Sequence, residues 1–287
     1  MGLPEIRKSV AYYWYVLNQD PLTIVGLAIL ASIVLVGTFA QPLSPYDPYA
    51  TSAAEALDPP SATHWFGTDS LGRDVLSRCF HAAQIDLPLA FISVFSSFMI
   101  GLVVGSISGY WNGKLDEFTM RVMDVLLAFP NFILAIALMA AIGPSMFNLY
   151  FTQVFIRIPI FARLVRGQVL SERENEYVEA AVSAGNSSYR ILSRHILPNS
   201  IPNVLIAVTY NFGYCLLNIA ALSFIGLGIN PPTPEWGIMV SDGAPYIMTG
   251  EWWLSVFPGI FIVLAVLAFN LAGDGITSIM DPRRRRV

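Results

Sequence analysis

The sequence predicts an all-α integral membrane protein with six transmembrane helices, and three observations predict it. Of 287 residues, 55 % are hydrophobic and only 13 % charged, with a mean hydropathy of +0.58. Soluble chains carry roughly 25 % charged residues, so most of this surface does not face water. Apolar runs recur at about 22–42, 87–110, 122–142, 146–165, 201–229 and 253–273, each near the ~20 helical residues that cross a ~30 Å hydrocarbon core. Basic residues crowd one alternate set of connecting segments, as topology requires of a multi-span chain.

Taken in order, residues 1–21 form a polar-aromatic cytoplasmic segment before the first span, 22–42. That run is too long for a signal-peptide core and follows no short basic leader, so it is read as an uncleaved span. Residues 43–86 form an extracytoplasmic segment in which Gly67 and Gly72 bracket turns around an acid–base pair, Arg73 and Asp74. The expectation is a packed cap on the outer mouth. Residues 87–280 hold five helices and a polar loop at 171–199, and 281–287 are a basic cytoplasmic tail. Within the third span, Pro130 should kink or end the helix. Asp124 is expected to pair with Arg121 or a basic loop residue, and Asp274 to order the tail.

Orientation follows the charges. With both termini on one side, that side holds Arg7, Lys8, Lys114, Arg121, Arg163, Arg166, Arg173, Arg190, Arg194 and the arginines at 283–286. The other side holds Arg73 and Arg78 against nine acidic residues, so both termini and the 171–199 loop are cytoplasmic. The closing arginines read as a topology anchor, not a nucleic-acid patch. No enzyme motif stands. Neither Lys8 nor Lys114 sits in a phosphate-cradling loop, and GSISG (105–109) has Ile107 where a nucleophile belongs. Cys79, Cys215, His64, His81 and His195 are scattered, so no metal site is expected.

The loop reads SERENEYVEAAVSAGNSSYRILSRHILPN (171–199). Ser171 and Glu174 form a capping-box pattern that would start a helix. Tyr177, Ala180, Ala181 and Ala184 make a small-residue face that lets another surface approach. Gly185 permits a sharp turn. Tyr189, Ile191, Leu192 and Ile196 suggest a second short helix that Pro198 ends. Glu172, Glu174, Glu176 and Glu179 make the first helix acidic. A helix resting on lipid headgroups is usually basic, so a protein partner suits this one better.

EYVEAAVSAGNSSYRILSRHILPN resembles the EAA loop of ABC importer permease subunits, through Glu179-Ala180-Ala181, Gly185 and Leu197-Pro198. HWFGTDSLGRDVLSR (64–78), FARLVRGQVL (161–170), LSFIGLGINPPTPEWG (222–237) and GDGITSIMDPRRR (273–285) are similar to blocks of the dipeptide/oligopeptide (and nickel) branch, in its C-type permease chain. The resemblance implies the type I ABC importer permease fold and a non-catalytic subunit forming half of a translocation pathway. It implies a homologous second permease chain, two ATP-binding subunits and an extracytoplasmic substrate-binding protein in a bacterial or archaeal plasma membrane. Glu179, Ala180, Ala181, Gly185, Leu197 and Pro198 would couple to the ATPases. No cofactor is expected in this chain, with ATP and Mg on the partners. Di- or oligopeptides are the expected cargo, with nickel, glutathione or opines as alternatives. A proton-coupled secondary transporter is the rival class, but it would need membrane-embedded carboxylates or an internal repeat.

Two polar stripes are candidates for the pathway lining. Tyr150, Gln153 and Arg157 recur at i, i+3 and i+7 in the fourth span, and Asn211, Tyr214 and Asn218 at the same spacing in the fifth. Each trio falls within about 60° of one helix face, at a shared depth of ~12–15 Å from the inner end. Such groups also glue helices together. Arg157 tilts toward the pathway because a charge at that depth needs water, a partner or a pore, although snorkelling or a structural pair stays open.

Overall fold

The computed structural model describes residues 20–280. The expected segments at 1–19 and 281–287 lie outside the described residues. The described residues form helices joined by loops, and four of these helices are long and apolar enough to cross a membrane. They are α1 (Pro21–Thr38), α2 (Val75–Trp111), α7 (Ser188–Phe224) and α9, whose apolar stretch is Trp253–Gly275 within Trp253–Met280. The elements between them are α3 (Lys114–Leu127), α4 (Asn131–Ile142), α5 (Met146–Arg173), α6 (Glu176–Ser183) and α8 (Trp236–Gly243). Helix α5 has 28 residues, about 42 Å at ~1.5 Å per residue. It is long enough to span, and its polar stripe is what lowers its hydropathy.

The third expected span is broken at Pro130, where the sequence predicts a kink or helix end. Residues 122–142 are not one helix, because α3 and α4 meet at an 87° bend. Pro130 causes it: proline cannot donate to the preceding turn and disfavours helical geometry at Phe129. Helix α4 then starts at Asn131 with Pro130 as its N-cap. Six spans therefore approximate four long apolar helices, one bent pair and α5.

Helix α2 also begins earlier than its apolar run. Asp74 caps it by accepting from the Ser77 N–H at 2.8 Å, so twelve residues expected in the extracytoplasmic segment belong to the helix. The sequence pairing of Arg73 with Asp74 does not form. Arg73 Nε donates to Asp69 at 2.6 Å, while Asp74 accepts from the His64 ring at 2.9 Å. The capping role turns Asp74 into the helix and away from its neighbour. The cap expectation itself fits: His64 and Asp74 are buried, Arg78 Nη1 donates to Pro48 O at 3.1 Å, and Trp253 Nε1 donates to Thr68 O at 3.3 Å.

Close packing of α2 on α5 organises the bundle. Gly101, Gly105 and Gly109 recur every fourth residue on the α2 face toward α5. A Cβ at Gly101 would lie 2.5 Å from Phe161 Cβ, and one at Gly109 3.0 Å from Arg166 O. Small residues at this spacing let two helix backbones approach closely in a bilayer. Ser97 Oγ donates across the seam to Val154 O at 3.2 Å. Arg166 grips Asp116 with two bonds of 2.6 Å each, and Arg163 pairs with Asp124, pinning α3 along α5. Asp124 thus takes Arg163 as its partner, while Arg121 pairs with Glu117 at 2.7 Å, one helical turn away.

Candidate functional site: a polar cavity and a surface loop

The end of the bundle carrying residues 174–187 is called the lower end here. The loop is built in two parts. Helix α5 runs through Ser171 and Glu174 is its C-cap, so the capping-box reading is corrected. The short helix α6 begins instead after Asn175, because α5 keeps its own hydrogen bonds to Arg173. The Tyr177 hydroxyl meets Glu172 Oε2 at 2.5 Å, and Asn199 Nδ2 donates to it at 3.2 Å. These bonds tie α6 to the bases of α5 and α7. Burial and the contact with Glu172 push the Tyr177 phenol above its ordinary value. Arg173 Nη1 donates to Tyr110 O at 2.8 Å, which fixes the lower end of α2 to the same corner.

Gly185 closes α6. Its φ is +78°, a region that costs other L-residues a Cβ clash. Gly185 N donates to Val182 O at 2.9 Å and Asn186 N to Ala181 O at 3.2 Å, the paired bonds of a Schellman C-cap. Val178 and Ala181 turn into the core against Ile191, Leu192 and Ile196. Glu179, Ala180 and Gly185 remain exposed. The expected small-residue face is therefore divided: Ala180 and Ala184 face outward while Ala181 seats the helix.

Beyond the turn the second short helix does not end at Pro198. Ser188–Phe224 is continuous, with a π-helical turn at Leu192–Ile196 in which Leu197 N reaches Leu192 O. The wider turn accommodates a proline without an N–H, and Asn199 Nδ2 donates to the His195 carbonyl at 2.8 Å. Leu197 is half-buried and Pro198 exposed at this junction.

The two polar stripes converge in part. A cavity of about 280 Å³ is lined by Arg157, Asn211, Tyr214 and Asn218, with Asn131, Ile156 and Ile160. Gln153 is fully buried behind it and receives Arg157 Nη1 on its side-chain oxygen at 2.5 Å and its carbonyl at 3.0 Å. Tyr150 lies elsewhere: its hydroxyl donates to Ser96 Oγ at 3.0 Å and joins α5 to α2. Arg157 is 2 % exposed and makes no ion pair among the described residues. Asp274, expected to order the tail, accepts from the Tyr210 hydroxyl at 2.5 Å.

Sequence reasoning missed an acidic site at the opposite end. Glu235 caps α8 by accepting from Gly237 N at 2.9 Å and Ile238 N at 2.8 Å. The next residue, Trp236, donates its N–H to Asp86 at 3.0 Å and its indole N–H to Cys79 O at 3.0 Å. Both carboxyl groups are buried and neither has a cation partner among the described residues. Burial pushes the Glu235 carboxyl above its ordinary value, and the two backbone N–H donors offset this only in part. An apolar residue followed by Glu and Trp carries no periodic signal, so only the fold exposes the pairing.

Known proteins resemble this chain in sequence and in fold. Residues 101–286 match the family described as binding-protein-dependent transport system inner membrane component. Residues 11–60 match the N-terminal TM domain of oligopeptide transport permease C. The dipeptide transport system permease protein DppC of Alkalihalophilus pseudofirmus is 42 % identical, over 94 % of this chain and 88 % of its own. The probable D,D-dipeptide transport system permease protein DdpC of Escherichia coli is 40 % identical over 97 % and 93 %. The glutathione transport system permease protein GsiD of Pectobacterium atrosepticum is 40 % identical over 98 % and 95 %. Among solved structures, the MetNI methionine ABC transporter matches with a TM-score of 0.59 at 20 % identity, over 72 % of this chain and 97 % of that one. The chain belongs to the inner membrane components of binding-protein-dependent transport systems, and it is a multi-pass, non-catalytic permease subunit of an ABC importer.

Proposed function

We propose that this chain is one half of the translocation pathway of a peptide importer, with loop 171–199 docking on an ATP-binding subunit. The observation that carries the docking is the loop's construction. A short helix is seated by Val178 and Ala181, closed by Gly185, tied by Tyr177, and leaves Glu179 and Ala180 facing outward. A rigid, exposed element between two long helices can transmit a push along both. Leu197 and Pro198 sit where α7 begins its straight run, so motion of the loop reaches the cavity walls through α5 and α7.

A homologous second permease chain would close the pathway, two ATP-binding subunits would hold ATP and Mg, and a binding protein would deliver cargo on the upper side. Both termini and the loop would face the bacterial cytoplasm. Relatives named for dipeptide, D,D-dipeptide and glutathione transport support short peptides as the cargo class. Asn211, Tyr214, Asn218 and Arg157 would line the path, with Gln153 holding Arg157 in place and Tyr150 bracing α5. The test is reconstitution of the complete importer in proteoliposomes with a panel of short peptides and with nickel ion. ATP-dependent uptake of peptides is expected, and uptake of nickel alone would overturn the cargo reading.

A further inference from the structure

The cavity holds a positive charge that no acidic group among the described residues neutralises. An unpaired charge within a membrane bundle is costly unless it meets a partner, water or a transported group. Arg157 is 2 % exposed. Only its Nη1 is engaged, and only by Gln153. Nε and Nη2 make no hydrogen bond among the described residues, although Arg157 lines a cavity of about 280 Å³. The remaining polar lining is three asparagines, Asn131, Asn211 and Asn218, and the Tyr214 hydroxyl. Amides and a phenol donate hydrogen bonds without adding charge. Gln153 fixes the guanidinium against its own helix turn, so the free edge is held in one orientation.

We propose that Arg157 and this cavity form a carboxylate subsite, which takes the free C-terminal carboxylate of a peptide as it passes. The assignment rests on the peptide-import reading and adds the chemical group that the pathway recognises. A guanidinium edge with two parallel N–H donors matches a carboxylate bidentately. The volume of about 280 Å³ falls just below the range of about 300–1,000 Å³ for ligand pockets, and suits one terminal residue better than a whole peptide. The cargo named for the relatives fits this chemistry, since dipeptides and glutathione end in a carboxylate.

The test uses the complete importer in proteoliposomes, with a dipeptide and its C-terminally amidated analogue. Uptake is normalised to the occupancy of the binding protein by each, measured separately. Wild type should carry the free acid at least tenfold faster than the amide. Arg157→Gln, compared at matched levels of assembled complex, should bring that ratio close to one by slowing the acid alone. Arg157→Lys, which keeps the charge without the fork, should fall between. A wild-type ratio near one overturns the assignment without any variant. An equal fall for both substrates in Arg157→Gln also overturns it, and would instead place a carboxylate of the second permease on Arg157. Failure of wild type to carry either peptide is a different result, which sinks the cargo reading.

Discussion

Gly105 of α2 meets Ala162 of α5 so closely that a Cβ on the glycine would overlap the Ala162 carbonyl oxygen. The obstacle is backbone, which cannot swing aside as a side chain can. This seam sets the rotation of α5 about its axis, and hence where Arg157 points.

Gly105→Ala should therefore destabilise the subunit by ~1–3 kcal/mol, the usual range for overpacking. Gly167→Ala is the control, because a Cβ there meets nothing within 4 Å and alanine favours helix. Thermal unfolding of the purified subunit in detergent checks the pair. Equal midpoints for the two variants would show that the seam is not tightly packed.

Gly185 differs in kind from Gly105. A Cβ at Gly185 meets nothing within 4 Å, yet its φ is +78°. The constraint is conformational, so asparagine should be tolerated and a β-branched residue should not. Gly185→Val should lower substrate-stimulated ATPase activity of the reconstituted complex by a factor of about 5–30, corresponding to ~1–2 kcal/mol of local strain. Gly185→Asn should retain most of it, and both should reach the membrane. If valine behaves like asparagine, the shape of the turn does not matter for coupling.

The contrast between these glycines marks what the sequence made legible. Gly185 and Pro130 act through their own backbone, so local pattern located the turn after α6 and the bend after α3. The seam at 101–109 depends on which face of α2 meets α5. Although GSISG was visible at 105–109, its four-residue spacing became meaningful only once Phe161, Ala162 and Arg166 lay opposite. Spacing alone grouped Tyr150 with Arg157. The structure separates them because Tyr150 reaches Ser96 on α2 while Arg157 faces α7 across the cavity. Ala181 was grouped with Ala180 by helical period, and only the packing of Ile191 and Ile196 decides which alanine turns inward.

The Glu235 carboxyl at the head of α8 should make stability depend on pH. Its folded-state value is raised by burial above the ordinary 4.5, so the folded protein binds the proton more tightly than the unfolded chain. The stabilisation is then fully present below pH 4.5 and is lost as pH rises through the raised folded value. One proton changes stability by at most ~1.4 kcal/mol per pH unit. Glu235→Gln keeps an oxygen for the cap and removes the titration, so its unfolding midpoint should vary less between pH 4.5 and 8. Equal slopes for wild type and variant would assign the dependence elsewhere.

Sidedness provides the last test. Arg73 and Arg78 are buried and both lie against Asp69, at 2.6 and 3.6 Å. Those basic residues of the upper end are thus buried against an acidic group, whereas Arg173, Arg190 and Arg194 at the lower end are exposed. Retention of positive charge on the cytoplasmic side predicts that the lower end faces inside. The two native thiols, Cys79 and Cys215, are both buried, so background labelling should be low. Cysteines placed at the exposed positions Asp58 and Asp242 should react with a membrane-impermeant maleimide in intact cells. A cysteine at Ser187, also exposed, should react only after the membrane is opened. Labelling at Ser187 in intact cells would invert the topology, and loop 171–199 would then face away from any cytoplasmic ATP-binding subunit.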